Sequence, residues 1–156
     1  MRDEICYAPA VELAAKIRSK DLSPTEVMEA HLDRIESVNP RLNAIVTFAK
    51  DPMKQAREAE AAVNRGDKIG PLHGVPYTLK DCVETEGLRT TLGSKLMQHN
   101  VSVADAEIYR RLKSAGGILL GKTNMPEFAL WWKTDNDLFG LTRNPYNLDR
   151  TVGGSS

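Results

Sequence analysis

The stretch that most narrows the folds open to this chain is Gly70 to Asp81, GPLHGVPYTLKD. Gly70, Pro71, Gly74 and Pro76 interrupt any regular element on the approach, and Val75, Tyr77 and Leu79 then alternate with Pro76, Thr78 and Lys80 at the two-residue period of a strand. A lysine at the end of an apolar strand either snorkels its ammonium to water or is held desolvated for chemistry. The strand alone leaves both readings open, and the rest of the chain has to choose between them.

At 156 residues the chain is long enough for one domain with a hydrophobic core. Hydrophobic residues make up 41% and charged residues 27%, the balance of an ordinary globular protein. Lys plus Arg and Asp plus Glu number 21 each, which excludes bulk electrostatic attraction to nucleic acid or to an anionic membrane. Cys6 and Cys82 stand far apart with no CxxC or Cys/His spacing, so they read as reduced thiols rather than as zinc ligands or a disulfide. The N-terminus lacks the apolar core and small-residue cleavage site of a signal peptide, and no run reaches the ~18 apolar residues of a membrane span. A cytoplasmic protein is expected.

Residues 8–19 have the spacing of a short amphipathic helix, with Ala10, Leu13, Ala14 and Ile17 on one side. Ser23-Pro24-Thr25-Glu26 carries a helix start, with Ser23 as N-cap and Glu26 closing a capping box. The helix is expected to run to about Val38 and to stop at Asn39-Pro40, burying Val27, Met28, His31, Leu32, Ile35 and Val38. Ala44 to Phe48 reads as a strand, and an alanine-rich helix follows from Asp51-Pro52 to about Val63, closed by Arg65-Gly66. Beyond the Lys80 strand lies a long connection to Asn100. A capping-box-like start at Ser102 to Asp105 opens a helix with Ile108, Tyr109, Leu112 and Ala115 inward. Ile118 to Thr123 is a buried strand, and Asn124 caps a short helix opening on Pro126. From Ala129 onward the chain is turn-rich with no clean period. Helices alternating with strands predict an α/β fold, a mixed β-sheet core covered by α-helices.

Three kinds of chemistry compete. The Gly153-Gly154-Ser155-Ser156 loop has the composition of a phosphate cradle, but GxxxxGK[ST] and GxGxxG are absent. His31, His73 and His99 lack the spacing of metal ligands, and neither a metal nor a nucleotide cofactor is expected. The third kind is acyl transfer by serine without histidine. It needs a nucleophile, a base and donors for the developing oxyanion, and a lysine serves as base once burial or cationic neighbours make it neutral. A Gly-Gly-Ser-Ser turn and a strand-end lysine have the residue types for such a Ser-Lys arrangement.

Gly70 to Pro76 with Lys80-Asp81, Gly121 to Phe128, Phe139-Gly140, Arg143-Asn144-Pro145 and Gly153 to Ser156 together resemble the amidase signature family. Several motifs in the right order are far more specific than any one of them. Residues 1–69 resemble the mostly helical lead-in of that family in general character, and residues 70–156 a portion of its catalytic core, so the resemblance implies that 1–156 is the N-terminal part of a single amidase domain. It implies hydrolysis of amides through a Ser-cisSer-Lys triad, in which Lys80 is the catalytic lysine and Ser155 the serine that relays a proton. Ser156, Gly153, Gly154 and Asp81 take supporting places. In the family pattern the nucleophilic serine and the glycine-rich oxyanion turn lie beyond Ser156, so activity is expected to need the C-terminal remainder of the domain.

The resemblance further implies a small-molecule amide as substrate. Trp131 and Trp132, unusual after Glu-Phe-Ala, are candidates to line an acyl or aryl pocket, with Met125 near them; packing is the competing role for all three. The first helices offer a homodimer surface. Two alternatives remain. The glutaminase component of a tRNA-dependent amidotransferase shares the signature, but typically reads Asp-Glu-Phe-Ala-Met-Gly where this chain has Pro126 to Trp131, a departure that favours a free-standing amidase. A non-catalytic α/β binding module is the other.

Overall fold

A computed structural model describes residues 2–154, with helices α1 (Arg2–Tyr7), α2 (Ala10–Ser19), α3 (Pro24–Leu42), α4 (Pro52–Arg65) and α5 (Glu107–Ser114). The strands are β1 (Ile45–Phe48), β2 (Pro76–Lys80), β3 (Ile118–Thr123), β4 (Arg143–Asn144) and β5 (Asn147–Thr151). The chain divides into two compact units: residues up to Ser37 with Lys50–Tyr77 and Arg110–Leu120 form the first, and Val38–Ala49, Thr78–Tyr109 and the residues from Gly121 onward form the second.

The first unit is built by the helices. Leu13, Ala14 and Ile17 of α2 recur at helical spacing and are buried with Val27, Val63 and Val75 in one apolar cluster. A second cluster joins Met28, Ala56, Ala59, Ile118 and Leu120. The start of α3 follows from its sequence: Ser23 N donates to Glu26 Oε2 at 2.8 Å and Glu26 N to Ser23 Oγ at 3.1 Å, the reciprocal capping box. His31 Nδ1 lies 2.7 Å from the Val27 carbonyl, one turn back on the same helix. The approach to β2 is tied backbone to backbone, Leu72 N to Ala115 O and Gly74 N to Gly116 O, both at 2.9 Å. Gly74 has φ +78, and a Cβ there would sit 2.9 Å from the Pro24 ring, so only glycine fits this turn.

The sheet has the order β1-β3-β2. β1 pairs antiparallel with β3, Phe48 opposite Gly121 and Ile45 opposite Thr123, with a register shift between Ile45 and Thr47. Ile118 N donates to Val75 O and Asp81 N to Thr123 O, so β2 and β3 advance in the same direction and the sheet is mixed. A short antiparallel hairpin, β4 with β5, lies in the second unit.

Four local expectations are corrected. Pro40 does not stop α3, which continues to Leu42; a proline in the last turn removes one N–H without breaking what precedes it. Asn39 then closes the end, its Oδ1 accepting from Ala44 N and Ile45 N. α5 starts at Glu107, later than expected; Asp105 Oδ1 accepts from Glu86 N across the loop, and Ile108 is 56% exposed rather than inward. Asn124 caps no helix: Glu127–Ala129 is a single 3-10 turn preceded by Pro126. The β4–β5 hairpin arises in a stretch read as turns alone.

Candidate active site

Lys80 closes β2, and its half-buried side chain lines a cavity of about 200 Å³. Thr123, Asn124, Pro126, Thr134, Val152, Gly153 and Gly154 complete the lining. Two residue groups distant in sequence, the strand-end lysine and the glycines of the Gly-Gly-Ser-Ser segment, therefore face one space within the second unit. Ser155 and Ser156, the proton relay and supporting serine implied by the resemblance, lie outside the described residues.

The chain reaches this geometry through side-chain clamps. The Gly153 carbonyl accepts from Thr134 N at 2.9 Å and from the Thr134 hydroxyl at 2.6 Å, which brings the glycine segment alongside the cavity. Asn124, buried beside it, is fully used. Its Nδ2 donates to Gly140 O and Thr142 Oγ1, both at 2.9 Å, and its Oδ1 accepts from Met125 N at 2.9 Å and Asn136 Nδ2 at 2.7 Å. Asn124 thus braces three chain segments around the cavity instead of capping a helix.

Asp81, next in sequence to Lys80, is wholly buried. Its Oδ2 accepts from the Thr91 hydroxyl, from Thr91 N at 3.0 Å and from Gly93 N at 3.4 Å. Lys122, which the motifs did not single out, is also wholly buried, and its ammonium donates to Val83 O and, at 2.9 Å, to Thr90 Oγ1. Burial pushes the pKa of Lys122 down from the ordinary lysine value, against the nearby charges of Asp81, Cys82 and Glu84, which pull it up. The signal available in the sequence was a lysine inside a strand already read as buried, where an ammonium must find partners.

Met125 is fully enclosed and is absent from the wall of the Lys80 cavity, its N–H taken by Asn124 Oδ1 and its carbonyl by Asn136 Nδ2. Trp131 and Trp132 stack with ring centroids 4.2 Å apart and both are exposed. Trp131 lines a second, open cavity of about 460 Å³ with Glu127, Phe128, Leu130 and Lys133. Among the described residues no cluster of His, Cys, Asp and Glu has the arrangement to hold a metal ion, and no helix is long and apolar enough to cross a membrane.

The amidase family profile matches residues 26–156. An acylamidase of Rhodococcus erythropolis is 46% identical over 151 residues, covering 96% of this chain and 32% of that protein. A glutamyl-tRNA(Gln) amidotransferase component of Carboxydothermus hydrogenoformans is 44% identical over 154 residues, 98% of this chain and 32% of that protein. The crystal structure of a bacterial aryl acylamidase of the amidase signature family superposes with a TM-score of 0.91 at 35% identity, covering 96% of this chain and 32% of that one. The chain spans about a third of the length of these relatives. With a shared fold, a profile match over most of its length and a strand-end lysine facing the glycine segment, the chain belongs to the amidase signature family.

Proposed function

We propose that this chain supplies the N-terminal part of one amidase domain, in a protein that hydrolyses small amides by acyl transfer to water. The observation that carries the reading is the single cavity shared by Lys80, Gly153 and Gly154. Lys80, acting as general base, takes a proton from the Ser155 hydroxyl, Ser155 takes one from the nucleophilic serine of the remaining domain, and the acyl-enzyme forms as the amine leaves with a proton. Water then attacks the ester, and the protons return along the same path. Asp81 and the two glycines hold the geometry, and the exposed Trp131–Trp132 stack is suited to the aryl or acyl part of a substrate. A cytoplasmic location and pairing into a homodimer through the first helices belong to the same proposal.

The test is Lys80→Ala in the intact polypeptide, assayed on an aryl amide such as p-nitroacetanilide near neutral pH. Loss of a general base is expected to lower kcat by about a hundredfold or more. An unchanged turnover number removes Lys80 from the mechanism. A second reading, the glutaminase component of an amidotransferase, is favoured by the 44% identity to such a protein. Glutamine hydrolysis by a complex with a co-purifying partner, in place of aryl amide turnover, would select it.

A further inference from the structure

We propose that Lys122 is a positioning residue for Lys80, clamping from beneath the turn that ends β2 while Lys80 itself faces the cavity. The inference rests on the amidase reading for its consequence and on the geometry alone for the clamp. After Lys80 the backbone turns, and such turns are ordinarily solvated and loose. Here the turn is held at three points: Val83 N donates to Lys80 O at 2.9 Å, Asp81 N to Thr123 O at 3.1 Å, and Val83 O accepts from the Lys122 ammonium.

The second tie runs through Thr90. Its hydroxyl oxygen accepts from Lys122 at 2.9 Å and from the Ser102 hydroxyl at 2.9 Å, so the ammonium is fastened to the long loop as well as to the turn. Asp81 supplies the largest of the nearby negative charges acting on this ammonium. Its Oδ2 draws in Thr91 and Gly93 of the same loop, while its Oδ1, wholly buried, has no hydrogen-bond partner among the described residues. An ammonium and a carboxylate taken fully out of water cost several kcal/mol each unless they compensate one another, so a site that retains both is one where fixed geometry outweighs that cost. Asp81 directly follows the end of β2, so it hands the pull of this network to Lys80 through one peptide bond. A displacement of about 1 Å at a catalytic group costs on the order of a hundredfold in rate, and the turn Lys80–Val83 is where such a displacement would begin.

The experiment replaces Lys122 by Met, which keeps most of the volume and loses the donors, in the intact polypeptide. Wild-type turnover of p-nitroacetanilide is measured first. Lys122→Met is expected to lower kcat about ten- to a hundredfold with KM within about twofold, because substrate contacts are untouched. Wild-type kcat in a folded Lys122→Met protein, with Lys80→Ala inactive, overturns the clamp and leaves the amidase reading standing. If Lys122→Met does not fold, Thr90→Val removes one acceptor at nearly constant shape. It is expected to lower kcat about three- to tenfold at unchanged KM, and wild-type kcat there overturns the proposal. A readout independent of turnover is lysine NMR on the wild-type protein. The Lys122 Nζ protons are expected to exchange with solvent far more slowly than those of exposed lysines; exchange at the exposed rate would refute the sealed clamp even if no amide is hydrolysed.

Discussion

Replacing Asn124 by Ala removes four hydrogen bonds of 2.7–2.9 Å from a buried site. Two of the partners keep a second contact: Asn136 Nδ2 still donates to Met125 O at 2.8 Å, and the Thr142 hydroxyl still donates to Asn43 O at 2.6 Å. The Gly140 carbonyl and the Met125 N–H lose the partner that Asn124 gave them. Two lost bonds at about 0.5–1 kcal/mol each and two stranded groups at about 1–3 kcal/mol each give a destabilisation of about 3–8 kcal/mol. For a chain of this size, at about 2–4 °C per kcal/mol, even the lower end corresponds to a fall of about 6–12 °C in Tm. The assay is urea unfolding followed by far-UV circular dichroism, with the midpoint read at constant slope. A loss below about 1 kcal/mol would refute the view that Asn124 braces the cavity.

Asn124→Asp sharpens the same test, since it keeps the shape and turns two donors into an acceptor facing Gly140 O and Thr142 Oγ1. A carboxyl in that setting favours its neutral form, so its folded pKa lies above its unfolded one. Its stability relative to wild type is therefore best below the unfolded pKa and is lost as pH rises through the folded one. The deficit is expected to grow from about pH 4 to pH 7. An equal deficit at both values would mean that the residue 124 side chain reaches water.

Gly121→Ala places a Cβ 2.5 Å from the Thr47 carbonyl and 3.2 Å from Phe48 Cα, which forces β1 away from β3 and is expected to cost about 1–3 kcal/mol in urea unfolding; no change would contradict the β1–β3 register. The Glu26 carboxyl is held below the usual carboxylate range first by the Ser23 backbone N–H and then by its hydroxyl. The advantage of wild type over Glu26→Ala is thus expected above the unfolded pKa of about 4.3 and to disappear as pH falls through the lower folded value. Unfolding midpoints that differ by the same amount at both ends of that range would rule the capping box out as the cause.

Local rules carried much of the reading because the interactions behind them are local. The Ser23–Glu26 box needs only four consecutive residues, and the strand ending on Lys80 needs only alternation after a turn. The same rules erred where a distant partner displaced a near one. The Ser102 to Asp105 stretch resembles a helix start, but the Glu86 N–H, distant in sequence, donates to the Asp105 carboxylate, and α5 begins at Glu107. Asn124 resembles an N-cap, yet Gly140, Thr142 and Asn136 claim its amide.

Sequence by itself determined the α/β class, the family and the identity of the strand-end lysine, since motif order and periodicity are properties of the chain. Tertiary structure decided what those residues meet. Thr134 brings Gly153 to the cavity of Lys80 through two hydrogen bonds across a loop, and β3 carries Lys122 under the turn that follows Lys80. Neither contact has a sequence signature, because hydrogen bonds between segments depend on how the strands pair in space and not on the spacing of residues along the chain.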